Sequence, residues 1–364
     1  MLEQKRKVID YLVANSESNG SVRFSNDTYA NFLSTSFGTM IYYLIGQVDS
    51  RDESKLIQYW GIKDNAPIEN IIDPSFSTND LIGRHKPDYV LNQITYFSLL
   101  ALDVIGVQLR GNYVEESYLG NSVLLERWFN SLDLSRFWYE SNKIMFMLYF
   151  LSYINRYSGQ DRSKKAIDSI HLIMQLLNES QDKVTGFWGT NLNNNNLYDG
   201  CYGTAHVLMY YDYFEYEIPY VKQILDNTLS LHNENGLLGS KYGGACEDYD
   251  AIEIYLRCGK QTDYRKNDIE LVLIKMKELI EKSQNRDGGF SYKITDSFVR
   301  KQVYTKLIKK KYSYSGWNKM TTNPFESDVW ATWFRLLSLK VIDYIIESKT
   351  DFNSYWLPGW GYIK

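Results

Sequence analysis

Two kinds of helical period alternate along the chain. In "EQKRKVIDYLVAN", "RSKKAIDSIHLIMQLLNES" and "YRKNDIELVLIKMKELIEKSQ", apolar residues return every three or four positions and charges fill the gaps. That spacing predicts helices with one wet face. Other stretches are apolar on nearly every side and open on a polar cluster. They are "YANFLSTSFGTMIYYLIG", "DYVLNQITYFSLLALDVIG", "ESNKIMFMLYFLSYINRYSG", "DGCYGTAHVLMYYDYF", "CEDYDAIEIYLRCG" and "ESDVWATWFRLLSLKVIDYI". A helix that is apolar all round is buried. Strand-like alternation is scarce and regular hairpin signals are missing.

An outer helix followed by a buried one, repeated about six times, is an α/α repeat. Closed on itself it predicts an all-α fold, a six-hairpin α/α toroid over residues 1–364 as a single domain. An open solenoid is the alternative, but solenoids show tighter self-similarity and capping repeats. In a toroid the inner helices gather their N-termini, with free N–H groups and positive partial charge, at one mouth of a central cavity. Gly-rich links also repeat: "TGFWGTNLNNNNLYDG", "NGLLGSKYGGACED" and "DGGFSYKI".

Composition narrows the class. Hydrophobic residues make up 44% and aromatic ones 15%, enough for a large core rather than a disordered chain. A net charge of −4 argues against a broad nucleic-acid footprint. Cys201, Cys246 and Cys258 form no C-x-x-C pair and no disulfide framework, which suits a reducing, cytoplasmic setting. No signal peptide is legible. The longest apolar run, Ile144 to Ile154, falls short of the roughly 20 residues that span a bilayer. Phosphate-loop, G-x-S-x-G, H-E-x-x-H and G-x-G-x-x-G motifs are all missing.

Candidate chemistry concentrates at the starts of the buried helices. Glu247, Asp250 and Glu253 are spaced by three and share a helix face. Stacked acids on a buried helix must be paired, hydrated, metal-bound or protonated, and a carboxyl group pushed up by like neighbours is a general acid. The bland reading has Glu247 or Asp248 capping the helix and Glu253 meeting Arg257. Asp199 and Cys201 read either as a helix cap with a core cysteine or as metal ligands. His206 lies about 140° round the helix from Cys201, as a hydrogen-bonded core histidine would. His85, between Arg84 and Lys86, is an anion contact or a solvated turn. Glu140 and Asn142 open the third buried helix. Ser327 or Asp328 caps the last one, after Pro324 and Glu326. Trp188, Tyr202, Trp317 and Trp330 fall near inner-helix starts, as an aromatic wall for a cation, a prenyl chain or a sugar, or as core. The basic stretch Lys306 to Tyr312 reads as a solvated loop, with attraction to a phosphate or a membrane surface as the alternative.

"QNRDGGF" (Gln284 to Phe290) resembles the Q-x-x-D-G-x-aromatic repeat of squalene–hopene cyclases. "GFWG…NLYDGCY" (Gly186 to Tyr202) resembles the G-F-x-G and D-G-C-Y segments of protein farnesyltransferase β subunits. The match covers short segments of the C-terminal half. It implies the α/α toroid fold and an active site at the inner-helix starts. It also implies zinc held by Asp199, Cys201 and a third ligand, at whose place Asp250 stands instead of His. The loop Thr190 to Asn196 lacks the Arg and Lys that bind a diphosphate in that family, and no D-x-D-D acid is present.

Three readings follow. The first is an enzyme of the terpenoid cyclase and prenyltransferase type, acting on an isoprenoid or other apolar substrate. Glu247, Asp248, Asp250 and Glu253 would be its acids, and Trp188, Tyr202, His206, His85, Asn142, Trp330 and Asp328 its substrate contacts. The second is a carbohydrate-active toroid (a glycosidase, lyase or epimerase) with paired carboxylates. The third is a toroid that binds a partner without catalysis. None of them requires nucleic acid or a transmembrane segment.

Overall fold

The computed structural model describes residues 2–47, 53–61, 71–83, 85–109, 111, 113–190, 196–294, 312–313, 315–347, 355 and 357–363. Among these, twelve α-helices follow one another: α1 (Leu2–Asn15), α2 (Phe32–Leu44), α3 (Glu53–Tyr59), α4 (Pro87–Val104), α5 (Ser122–Asn130), α6 (Phe137–Tyr157), α7 (Gln160–Ser180), α8 (Leu197–Tyr213), α9 (Val221–Ser230), α10 (Ala245–Gly259), α11 (Lys266–Lys282) and α12 (Val329–Glu347). One antiparallel pair, β1 (Tyr312–Ser313) and β2 (Thr321–Thr322), is the only named strand pair among the described residues.

The all-α expectation holds, and so does the alternation. Helix α2 buries every residue but Tyr43. Helices α4, α6, α8, α10 and α12 are likewise buried along most of their length. Helix α7 buries only the stripe Ala166, Ser169, Ile170, Ile173, Met174 and Leu177, which is one helical face. Helix α9 buries only Ile224, Leu225 and Thr228. Wet-faced and buried helices therefore alternate six times, the succession expected of an α/α toroid. All six buried stretches read from the sequence are helices. Helices α3, α5 and α9, of seven, nine and ten residues, are too short to show a clear period.

The chain gathers into two compact units. One comprises Met1–Leu109, Ser240–Tyr249 and Ile274–Asn353; the other comprises Arg110–Gly239, Asp250–Leu273 and Ser354–Lys364. In the first, α2 packs on α4 and α12. Its centre is aromatic: Phe37 meets Phe97, Trp330 and Trp333 at centroid distances of 4.6, 4.9 and 5.3 Å. In the second, α6 packs on α7 and α8, α5 on α7, and α8 on α9.

Local chemistry sets the helix starts. Asn31 and Ser34 form a reciprocal capping box at α2. Asp328 accepts from the Ala331 N–H at 2.6 Å and caps α12, as its position before the apolar run suggested. The Gly-rich links share one hydrogen-bonded turn. The side chains of Gln181, His232 and Gln284 reach the carbonyls of Gly186, Gly236 and Gly288 at 2.7, 2.8 and 2.8 Å. All three glycines have positive φ, +75°, +80° and +93°, which a side chain would strain.

Candidate functional site

The segment Asp199-Gly200-Cys201-Tyr202 opens α8, but Asp199 does not cap it. Asn196 does, accepting from the Asp199 N–H at 3.3 Å. The Asp199 carboxylate instead accepts from the Trp138 N–H, also at 3.3 Å, in the first turn of α6. Burial raises its pKa, and the Trp138 and Phe137 amides oppose that shift. Close packing explains the glycines nearby, Gly203 lying against Phe137 of α6 and Gly200 against Thr190, Phe187 and Trp188 of the preceding link. A β-carbon on Gly203 would lie 2.9 Å from the Phe137 carbonyl carbon, and one on Gly200 2.7 Å from Thr190 Cγ2.

Cys201 is fully buried, with its sulfur 4.0 Å from Thr228 Oγ1. Burial, followed by the charge of Asp250, pushes its thiol far above the usual range. The zinc set implied by the resemblance needed a thiolate and two carboxylates at one point. Asp199 is turned to α6. Among the described residues no three His, Cys, Asp or Glu side chains stand where they could hold a metal ion. These residues do not fit zinc.

The four acids of α10 do not act as a stack. Asp248 accepts from the Gly244 N–H at 3.2 Å and from Arg335 Nη1 at 2.6 Å, with both side chains fully buried. Glu253 accepts from Arg257 Nε at 2.7 Å, the i+4 pair expected from spacing. Arg257 also donates to Asp212 at 2.6 Å. Glu247 accepts from the Tyr292 hydroxyl and from the Cys246 thiol, the latter at 3.1 Å. Tyr292, raised by burial and by the charges of Cys246 and Glu247, stays protonated. Asp248 and Glu253 are thus engaged with buried guanidinium groups.

Asp250 has a different setting. It is 1% exposed, and its Oδ1 lies 3.8 Å from Nε2 of His206 on α8. The other ring nitrogen, Nδ1, is 2.9 Å from Ser141 Oγ on α6. Ser141 also donates to the Trp138 carbonyl at 3.1 Å. Burial pulls the His206 pKa down to about 3, so the ring is neutral at neutral pH. A buried carboxyl group and a neutral imidazole thus meet in the second unit. His206 is hydrogen-bonded in the core, as read from its helix position, but it also faces a carboxyl group, which its spacing from Cys201 did not reveal.

The remaining candidates scatter. Glu140 pairs with Lys143 at 2.6 Å, and Asn142 donates back to the Trp138 carbonyl at 2.7 Å. Trp188 is core, its Nε1 bonded to the Leu177 carbonyl at 2.7 Å between Phe137 and Tyr211. Trp330 belongs to the aromatic centre around Phe37, and Trp317 packs on Phe76. His85 packs on Tyr89. Tyr202 lies 4.7 Å from the Trp138 ring, and both are half-buried. Arg84, residues 191–195 of the polar loop and 306–311 of the basic stretch lie outside the described residues. Sequence reading missed Ser141, one residue from the named Glu140 and Asn142, and Trp360, whose ring packs on His206 at 5.2 Å. A cleft of about 520 Å³ is lined by Tyr211, Asp212, Tyr216, Arg257, Lys260 and others. Its size suits a ligand, but Asp212 engages both Arg257 and Lys260 there.

The two buried histidines make stability pH-dependent. Burial pulls His206 down to about 3 and His232 to about 4, the latter against the opposing pull of the Gly236 carbonyl. The unfolded chain protonates these rings near their ordinary value of about 6.5. Their contribution is therefore present above pH 6.5 and is lost as pH falls toward 4–3, at up to ~1.4 kcal/mol per pH unit for each ring. Urea midpoints measured from pH 7.5 to 4.5 should fall less steeply in His232→Gln than in the native chain. Gln fits because it already serves the equivalent turns at 181 and 284. Identical slopes would contradict the assignment.

No protein-family model and no curated protein matches the chain. Solved structures similar to it include the type II terpene cyclase MstE from Scytonema. The apo form aligns with a TM-score of 0.45 and 11% identity over 94% of this chain and 97% of that one. Two substituted forms, in complex with the substrate geranylgeranyl dihydroxybenzoate, align with TM-scores of 0.48 and 0.46 at 11% identity. They cover 95% and 94% of this chain and 98% and 97% of theirs. At this identity and these TM-scores the likeness assigns no residue a role. Among the described residues no helix is long and apolar enough to cross a membrane.

Proposed function

We propose that the chain is an acid-acting enzyme for a largely apolar, isoprenoid-type substrate, with Asp250 as proton donor and His206 as the group that orients it. The observation that carries this reading is the 3.8 Å approach of His206 Nε2 to Asp250 Oδ1, buried, with Ser141 on the far ring nitrogen. In this reading the Ser141 O–H turns from the Trp138 carbonyl to donate to Nδ1, so the ring proton sits on Nε2. Nε2–H then faces Asp250 Oδ1, which leaves the acid O–H on Oδ2 for the substrate and stabilises the carboxylate left behind. A shift of about 1 Å would bring that pair to hydrogen-bond distance. His206, neutral at neutral pH, is not itself the acid.

The chemistry balances without a co-reactant. The Asp250 O–H bond breaks, the π pair of a substrate double bond forms a C–H bond, and the neighbouring carbon becomes cationic. Further double bonds attack that cation and close rings. Loss of a proton from the last cation leaves a new double bond, so the net change is isomerisation. Trp138 and Tyr202, half-buried on adjacent helices, offer faces to an apolar or cationic chain. The resemblance of the Gly-rich turns to those of the terpenoid cyclases supports the same class.

Incubation with acyclic polyprenyl compounds, geranylgeranyl phenols among them, in D₂O tests the reading. The expected product is cyclised and carries one deuterium at the carbon first protonated. Cyclised product without solvent deuterium, or no product across the panel, would overturn it.

A further inference from the structure

We propose that Trp360 is a positioning residue for His206, holding the imidazole in the orientation that points Nε2 at Asp250. Its catalytic consequence rests on the reading above; the ring packing does not. Trp360 is 3% exposed and meets the imidazole edge-to-face, with centroids 5.2 Å apart and planes at 77°. Ser141 holds only Nδ1, and one hydrogen bond at one atom leaves the ring free to swing about it. A large flat side chain against the ring removes that freedom.

The segment that carries Trp360 is itself pinned. The Tyr362 N–H donates to the Gly359 carbonyl at 2.9 Å, closing a tight turn over "GWGY" with Gly361 at φ +92°. Positive φ at the third residue is what a type II turn requires, and glycine supplies it. Trp360 is the second residue of that turn. The turn is then clamped: Arg257 Nη2 donates to the Tyr362 carbonyl at 2.5 Å, and its guanidinium lies 5.6 Å from the centre of the Tyr362 ring. Tyr213 on α8 meets that ring edge-to-face at 5.2 Å. Arg257 is in turn held by Glu253 and Asp212. The charge network of α10 therefore sets where Trp360 sits, which gives Glu253 and Arg257 a task beyond neutralising each other.

The test compares Trp360→Phe, Trp360→Leu and Trp360→Ala with the native chain. The first readout is spectroscopic. ¹H and ¹⁵N resonances of the His206 ring are assigned by their loss in His206→Asn. In the native chain the carbon-bound protons should be displaced from free-imidazole positions by the indole ring current, and the ¹⁵N shifts should show a single neutral tautomer with the proton on Nε2. Trp360→Leu, which keeps apolar bulk without a ring, should move the protons toward free imidazole and mix the tautomers; Trp360→Phe should largely restore both.

The second readout is kinetic, on the substrate identified by deuterium incorporation. Trp360→Leu should lower kcat by about 10²-fold, the cost of a misplaced reacting group, with KM little changed, and Phe should recover most of the loss. Native-like His206 resonances in Trp360→Leu would overturn the proposal. So would a kcat loss that Phe does not rescue. If no polyprenyl compound turns over in the native chain, the functional reading fails, and the resonances alone decide the role of Trp360. Should Trp360→Ala not fold, the Phe and Leu variants carry both readouts.

Discussion

Asp250→Asn is expected to lower turnover by about 10²–10⁴-fold, the usual contribution of a positioned acid, and to leave the fold intact. The amide has the size and shape of the carboxyl group and no proton acidic enough to give to a double bond. Its surroundings accept a neutral group: Cys201 keeps its thiol and His206 its neutral ring. The melting curve should therefore stay within about 1 kcal/mol of the native chain, as for substitutions that keep size and shape. Single-turnover kinetics beside a thermal melt separates the two effects. Full activity in Asp250→Asn would end the assignment. Unfolding would instead give Asp250 a structural task, with Asp250→Glu, which keeps the acid, as the deciding variant.

Arg335→Met should give the largest loss of stability, about 3–5 kcal/mol. Arg335 is fully buried, bonds Asp248 at 2.6 Å and donates to the Tyr292 carbonyl at 2.8 Å. Methionine matches its apolar stem but leaves the Asp248 carboxylate in the interior with no opposite charge from Arg335. The cost is that of a stranded charge, so it should shrink when the charge is removed too. The double variant Arg335→Met with Asp248→Asn should recover a large share, measured as the shift in urea midpoint. Equal destabilisation of the single and double variants would show that packing by Arg335, not charge, holds this part of the first unit.

The same reasoning shows why part of the site was illegible beforehand. The spacing of Glu247, Asp250 and Glu253 was read correctly as one helix face, and the pairing of Glu253 with Arg257 was visible at i+4. Nothing local says that Asp248 meets Arg335, 87 positions away, or that Asp250 meets His206, 44 positions before it. Short-range pattern has no access to such pairs. The turn of Asp199 away from the implied zinc set has a related cause. Asp199 has the sequence position of a ligand, but the α6 amides it accepts from lie 61 positions earlier. Trp360 went unread because "PGWGY" has no period. Its importance comes from a turn and from a clamp donated by a residue 105 positions before Tyr362.

What the chain determined by itself is whatever a window of about one helix can encode. The alternation of wet-faced and fully apolar helices follows from which residues water tolerates at a 3.6-residue period. The Asp328 cap follows from an acceptor placed before three free amides, and the Gly-rich turns follow from glycine's access to positive φ. Tertiary structure alone decided which buried carboxyl groups meet a guanidinium and which meets a histidine. It decided too which helix Asp199 caps. Burial makes those choices consequential, because the free energy of a charge in the interior depends on the group opposite it, and that group arrives from elsewhere in the chain.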